Sequence, residues 1–324
     1  MTLAKRFAAG LLSVGAMAVL GAAPAAAEEY KFAIQDSPGS IIHQGIVAMK
    51  AELEKLSGGK MEVAVFPSEQ LGGLKAIVDQ VREGEIDFTA VGYPDMSYLI
   101  PKLKLVGEPY VVQDYDHLLR IIKGPYGQEM NQQFNDKGVQ ILDVWYAGTR
   151  QTTSNRPIKS IDDMKGLKLR TPNVDFLIDF AKAAGAKPVP VAFQEVYLAL
   201  KTNQVDAEEN PLPTIETMKF YEVQKNVALT NHFIASKAIA VSKKTWDGLT
   251  DGQRDLVTQA VAAGRKVNND LTYGQEAELL DKFRERGITV TEPDTAPFRK
   301  AMQPYYQALE EKFGAGSIDA LMKQ

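Results

Sequence analysis

The feature that most constrains this chain is one order of elements written twice. Tyr30 to Gln35 reads as a strand, Ile42 to Leu56 as a helix closed by Ser57-Gly58-Gly59, and Met61 to Phe66 as an alternating strand. Leu74, Ile77, Val78 and Val81 follow at i, i+3, i+4 and i+7, the single buried face of a helix ending near Arg82. Ile86 to Val91 is then a third strand that opens into Gly92-Tyr93-Pro94. The second copy runs from the strand Leu167 to Arg170, through a helix from Val174 to Ala184, to a short strand over Pro188 to Val191. A helix from Phe193 to Leu200 leads into Val205-Asp206-Ala207 and a strand ending at Asn210-Pro211. A β-α-β-α-β order implies parallel strands with right-handed crossovers. Two such units predict two α/β lobes, with one larger doubly wound sheet as the alternative.

The remaining segments decide how the lobes connect. Ile141 to Tyr146 and Lys237 to Ser242 read as strands, and Asp251 to Arg286 is a long, mostly polar helical tract. If continuous, it reaches roughly 50 Å at about 1.5 Å per residue, enough to span both lobes. The tail from Phe298 to Met322 reads as further amphipathic helix. We therefore expect each lobe to be built from separated stretches: residues 28–147 with 236–275, and residues 148–235 with 276–324.

The first 27 residues are set apart. Lys5 and Arg6 precede an apolar run from Phe7 to Leu20, and Pro24-Ala25-Ala26-Ala27 supplies an Ala-x-Ala cleavage pattern. A membrane anchor is the alternative, but the run is short and Gly-rich against the roughly 20 residues of a span. The expectation is an exported protein, cleaved after Ala27 and resident in the periplasm. The chain has no cysteine, which excludes disulfides, thiolate metal sites, a cysteine nucleophile and a lipidated N-terminal cysteine. A formal net charge of -4 argues against a nucleic-acid partner, which would need a concentrated basic surface. His43, His117 and His232 are far apart and never at His-x-x-x-His spacing, so neither metal nor other cofactor is expected.

Parallel α/β sheets bind ligands at the carboxyl ends of their strands. That rule nominates Gln35, the Phe66-Pro67-Ser68 turn, Gly92-Tyr93, Arg170, Val191 to Phe193 and Asn210. Arg170 stands out, because a guanidinium in a Leu-x-Leu strand is costly without an anionic partner, and its fork fits a carboxylate. A structural salt bridge is the competing reading. Arg150, in a turn after the strand ending at Tyr146, is a second candidate. Glu208 and Glu209 are adjacent in a strand, so they face opposite ways and make a poor catalytic pair. No nucleophile elbow, phosphate loop, dinucleotide fingerprint or His-Glu-x-x-His occurs. The chain is read as a binding protein rather than an enzyme, with an enzyme on the same two-lobed fold as the alternative.

Three stretches carry a family resemblance: Gly148-Thr149-Arg150-Gln151-Thr152-Thr153-Ser154-Asn155-Arg156-Pro157, then Met164-Lys165-Gly166-Leu167-Lys168-Leu169-Arg170-Thr171-Pro172, then Phe193 through Glu195-Val196-Tyr197 to Glu209-Asn210-Pro211. With Phe66-Pro67-Ser68-x-Gln70-Leu71-Gly72 and Asp87-Phe88-Thr89, they resemble the solute-binding proteins of tripartite ATP-independent periplasmic (TRAP) transporters. The resemblance implies a venus-flytrap α/β fold with mostly parallel sheets and a long helix spanning both lobes. It implies a receptor that closes on a small organic acid, such as a C4-dicarboxylate or sugar acid, and delivers it to the small and large subunits of a membrane permease. It further implies Arg170 as the carboxylate clamp, Arg150 and Asn210 as neighbouring donors, and Phe193 and Asn173 as lining residues. Gln35, Tyr93 and Gln70 complete the expected pocket, and the receptor is expected to act as a monomer. Wording of the second lobe, including Lys219 to Lys225, is similar to sialic acid binders of that family. The first lobe departs from them: Gly92-Tyr93-Pro94-Asp95 stands where they carry a Glu and an Arg, and Gln35 where they have Asn.

Overall fold

The computed structural model describes residues 27–324, so the leader sequence lies outside the described residues. Its strands are β1 (Glu28–Ala33), β2 (Met61–Phe66), β3 (Phe88–Gly92), β4 (Val139–Ser154), β5 (Lys168–Thr171), β6 (Lys187–Pro190), β7 (Ala207–Pro211), β8 (Asn226–Ser242) and β9 (Thr289–Thr291). They form one sheet in the order β2-β1-β3-β8-β4-β7-β5-β6, with β9 beside β8. Both repeats are present: β1, β2 and β3 pair in parallel at one end, and β5, β6 and β7 at the other.

The two repeats do not own separate sheets, because β4 and β8 are 16 and 17 residues long and run antiparallel through both. Val139 to Trp145 pairs with Lys237 to Ser242 in the first lobe, whereas Arg150 to Ser154 pairs with Asn226 to Phe233 in the second. The sequence predicted only the N-terminal part of β4 and the C-terminal part of β8. The rest of β4 is mostly polar, with Gln151, Thr152, Thr153 and Ser154 looking like loop although they are buried between other strands, whereas the rest of β8 mixes apolar Val227, Phe233 and Ile234 with Thr230, Asn231 and His232. Register shifts interrupt the ladder at Ile141/Asp143, Tyr146/Gly148 and Arg150/Thr152, the middle one lying between the stretches that pair with the two repeats.

The helical tract is continuous from Asp251 to Glu285, 35 residues, or about 52 Å at the α-helical rise. A capping box at Thr250 and Gln253 starts it. Near its middle it serves the broken ladder. Asn268 donates to the Tyr146 carbonyl, Asn269 accepts from the Tyr146 N–H, and the Glu276 carboxylate accepts from the Thr149 N–H. Backbone groups that a bulge leaves unpaired are thus satisfied by one rigid helix. Leu279 and Phe283 then enter the second-lobe core.

The same helix crosses the first helix, Ile41–Ser57, at two glycines. A methyl on Gly264 would lie 2.6 Å from the Trp145 ring and 2.7 Å from the Gly45 carbonyl, so only glycines allow this approach. The C-terminal helices, expected on the second lobe, touch both. Phe298 stacks on Phe180, while the Leu321 and Gln324 carbonyls accept from His117 and Arg120 of the first. The amphipathic tail buries Ile318 and Leu321 wherever an apolar surface is available, and the nearest belongs to the first lobe.

The crossing gives a paired prediction. Gly264→Ala, despite a better helix former, should destabilise by about 1–3 kcal/mol through overpacking. Gly274→Ala, where a methyl meets nothing within 4 Å, should stabilise by up to about 1 kcal/mol. Urea unfolding of both decides it; a stabilised Gly264→Ala would contradict the close crossing.

Candidate functional site

The ends of β1, β3, β5, β7 and β8 open onto a cavity of about 850 Å³ between the lobes. The lobes meet around it: Gln194 donates to the Gln35 carbonyl across the cleft at 2.8 Å, and Ser37 approaches Met218 at 3.5 Å. On another part of the interface Lys104 of the first lobe lies 3.4 Å from Asp175 and 3.5 Å from Asp179 of the second.

Arg170 lines this cavity and is 2% exposed. Leu169, Arg170 and Thr171 are all buried because β5 is flanked by β6 and β7 and covered on both faces. Its Nε and Nη2 donate to the Val191 carbonyl at 3.1 and 2.8 Å, which locks the side of the fork and aims its end. Among the described residues no carboxylate lies within salt-bridge distance of it. Burial pushes its guanidinium down to about 10, although Glu209 and Glu208 oppose the shift from further away. The structural salt bridge considered from the sequence is therefore absent, and a buried cation with a free fork end is left facing the cavity.

Arg150 also lines the cavity but is already paired. Its Nε and Nη2 contact the Glu209 carboxylate at 2.5 and 2.9 Å. Glu209 accepts a further bond from His232, whose ring stacks on Phe180 at 4.1 Å and whose Nδ1 meets Thr230. Burial alone would raise the Glu209 carboxyl, yet Arg150 and the bond from His232 outweigh it and hold it well below the usual carboxylate range. Burial lowers His232, keeping it neutral. Glu208 faces the other way, accepting from Thr153 and Asn210 at 2.7 Å each, and burial lifts it to about 7. The adjacent acids diverge as the strand alternation requires. Asn210 spends one N–H on Glu208 and turns its remaining groups to the cavity.

Phe193, Asn173 and Gln35 line the same cavity. Two expected residues do not. Tyr93 is fully buried in the first-lobe core and packs on Phe134 at 5.9 Å, because the chain turns helical at Tyr93 and Pro94–Tyr98 forms a 3-10 helix. Asp95, two residues on, comes back to the cavity instead. Gln70 is exposed outside it, and Glu69 takes its place, accepting from Gln35 at 2.8 Å. Ser68 and Glu69 both adopt left-handed backbone, with φ of 56° and 59°, which swings the preceding residue into the cleft. Two adjacent non-glycine residues in that region are costly, and such strain concentrates where a side chain must be aimed.

Sequence reasoning also passed over Ser236, Lys237, Phe233 and, from the long helix, Asn268 and Thr272. Lys237 carried a signal, a lone charge in an apolar strand. The others had none, since their position follows from the sharing of β8 and from the path of the helix.

A cleft between two α/β lobes that share their central strands, with an uncompensated guanidinium inside, defines a two-lobed solute-binding protein. The chain belongs to the bacterial extracellular solute-binding protein family 7, the TRAP solute-binding proteins, whose family model matches residues 32–312. It is 44% identical over 300 residues to the sialic acid-binding periplasmic protein of Vibrio cholerae, covering 91% of this chain and 92% of that one. The 2,3-diketo-L-gulonate-binding periplasmic protein of Escherichia coli is 31% identical, with 90% of this chain and 89% of the relative covered. Among solved structures, the sugar acid binding protein of Advenella mimigardefordensis in complex with galactonate superposes with a TM-score of 0.86 at 28% identity, covering 92% and 97%. Family and relatives are solute-binding transport proteins of the periplasm, and among the described residues no helix is long and apolar enough to cross a membrane.

One perturbed acid lies away from this cavity. Glu108 is 1% exposed with both oxygens unpartnered, and burial, helped by Asp179 and opposed by Lys104, pushes it from 4.5 to about 8. A raised folded value means its contribution to stability is full below about 4.5 and is lost as pH rises through about 8. The protein should therefore lose stability, on the order of a few kcal/mol, between about pH 5 and about pH 9. Glu108→Gln should flatten that fall in urea titrations at both pH values; an equal fall in the variant would show that another group is responsible.

Proposed function

We propose that this protein captures a small organic acid, a C4-dicarboxylate or a sugar acid, by its carboxylate on Arg170 and delivers it to the small and large subunits of a TRAP permease. One observation carries the reading: Arg170 is buried in the cleft, held by Val191, and among the described residues has no carboxylate within salt-bridge distance. A buried unpaired charge is expensive, and an incoming carboxylate meeting the end of the fork with two parallel bonds relieves that cost. Arg150 is a poorer anchor because Glu209 already neutralises it; its unbonded Nη1 and the Asn210 amide orient the ligand instead. Phe193 and Asn173 complete the second-lobe wall.

Closure does the rest. Bringing the lobes together removes water, and each ionic contact strengthens in the lower dielectric. The motion falls on β4 and β8 near Ala147 and Ser236, where the ladder breaks and where the long helix holds the loose backbone. Export with removal of the leader after Ala27 and action as a free monomer complete the reading. The ligands named for the relatives, among them sialic acid, 2,3-diketo-L-gulonate and galactonate, are all acids and form the first set to test.

A thermal-shift screen of such acids should find one that stabilises the protein by about 2.7 kcal/mol at 100 times its dissociation constant. Calorimetry should then show Arg170→Ala losing at least about a hundredfold in affinity, the scale of a charge-assisted pair, with an unchanged fold by circular dichroism. Full affinity in that variant would overturn the clamp. Recovery of the acid chemically altered after incubation would favour an enzyme.

A further inference from the structure

The first-lobe wall of the cavity brings in charge of the other sign. Asp95 carries it from the first lobe, with no ion pair to any described residue. Its carboxylate lies back over β3 at Gly92, where any Cβ would collide with it, so glycine at position 92 is what admits the acid to the wall. Gly92 pairs with Lys237 in the ladder, so the acid lying over Gly92 is near Lys237, and Asp95, Ser236 and Lys237 all line the cavity. Lys237 is already neutralised by Asp36 at 2.8 Å. Glu69 adds a second carboxylate, holding one bond from Gln35. Ser236 is 3% exposed, lines the cavity, and its hydroxyl has no protein partner.

We propose that this wall is a subsite for the hydrogen-bond-donating far end of a monocarboxylate, hydroxyl or ammonium, and that Asp95 is the residue that turns away a second carboxylate. The proposal rests on Arg170 as the anchor of the first. Ionised carboxylates only accept hydrogen bonds, so Asp95 and Glu69 call for donors, and the Ser236 hydroxyl can give or receive. A second ligand carboxylate would meet Asp95 as a like charge in a cleft with little water, with the nearest cation, Lys237, already taken. Discrimination of this kind is built from a repulsive contact as well as an attractive one. Of the two ligand classes named above, the wall thus selects sugar acids over C4-dicarboxylates. Burial raises the Asp95 carboxyl above its ordinary value, with Lys237 and Arg150 opposing, so a hydrogen-bond donor brought by the ligand is what favours its ionised form.

The test uses sets of acids differing only at the far end: γ-hydroxybutyrate, γ-aminobutyrate and succinate with four carbons, galactonate and galactarate with six. Calorimetry on the intact protein should find the monoacid at least about tenfold tighter than the matched diacid at each length. The hydroxyl-to-amine ratio identifies the donor. Asp95→Asn, nearly isosteric, should cut that preference to less than about threefold, chiefly by tightening the diacid. A diacid that binds as tightly as its monoacid overturns the proposal, as does an unchanged preference in a folded Asp95→Asn. The ratio in the unmodified protein stands alone if the variant does not fold. Arg170→Ala separates the two readings: it should weaken mono- and diacids alike, so loss of the ratio without loss of the Arg170 effect condemns the wall and spares the anchor. Binding by none of these acids overturns both.

Discussion

Everything in this molecule hangs on the antiparallel ladder between β4 and β8. Two strands of 16 and 17 residues are too long for one lobe, so each crosses the gap and becomes the central pair of a second sheet half. That forces the strand ends of both β-α-β-α-β units to face one another across a cleft, which is where ligands of such sheets bind. It also creates the weak point, because the ladder breaks where it leaves one lobe for the other. The long helix answers this with Asn268, Asn269 and Glu276, which bond to backbone groups near the shift and tie both lobes to one rigid rod. Backbone amides beside the shift are thereby kept paired.

Within that frame, two arginines of the same lobe have different fates, and the difference is electrostatic. Arg150 faces Glu209, which His232 and Arg150 together keep ionised, so the group is closed and neutral before any ligand arrives. Arg170 is anchored only by the Val191 carbonyl, which orients its fork without neutralising it. A buried charge left in that state favours an anion that fits the fork. The first-lobe lining adds Asp95 and Glu69, so both lobes present charged groups to the cavity.

The periodicity of the two units was legible because each helix and strand shows its buried face in a stretch of ten residues or fewer; Ile77, Val78 and Val81 are all buried as their spacing requires. Arg170 was legible for a related reason, as a charge in an apolar strand that must be explained. The pocket residues on loops were read less well. Tyr93 follows from the strand-end rule and Gln70 from the family motif, but a helical turn at Tyr93 and a left-handed turn at Ser68 and Glu69 bring Asp95 and Glu69 to the cavity instead. Backbone turns of one or two residues reverse a side chain's direction and leave almost no compositional trace.

The sequence by itself determined the class of fold, the strand that carries a buried arginine, and the family, because these reside in local patterns and in long contiguous motifs such as Gly148 to Arg156 and Leu167 to Pro172. Tertiary structure alone decided that the lobes share one sheet, that the C-terminal helices reach back to the first lobe, and that among the described residues no carboxylate lies within salt-bridge distance of Arg170. These are facts about residues far apart in the chain, such as Gly92 beside Lys237, and their proximity is set by strand pairing that no local pattern encodes.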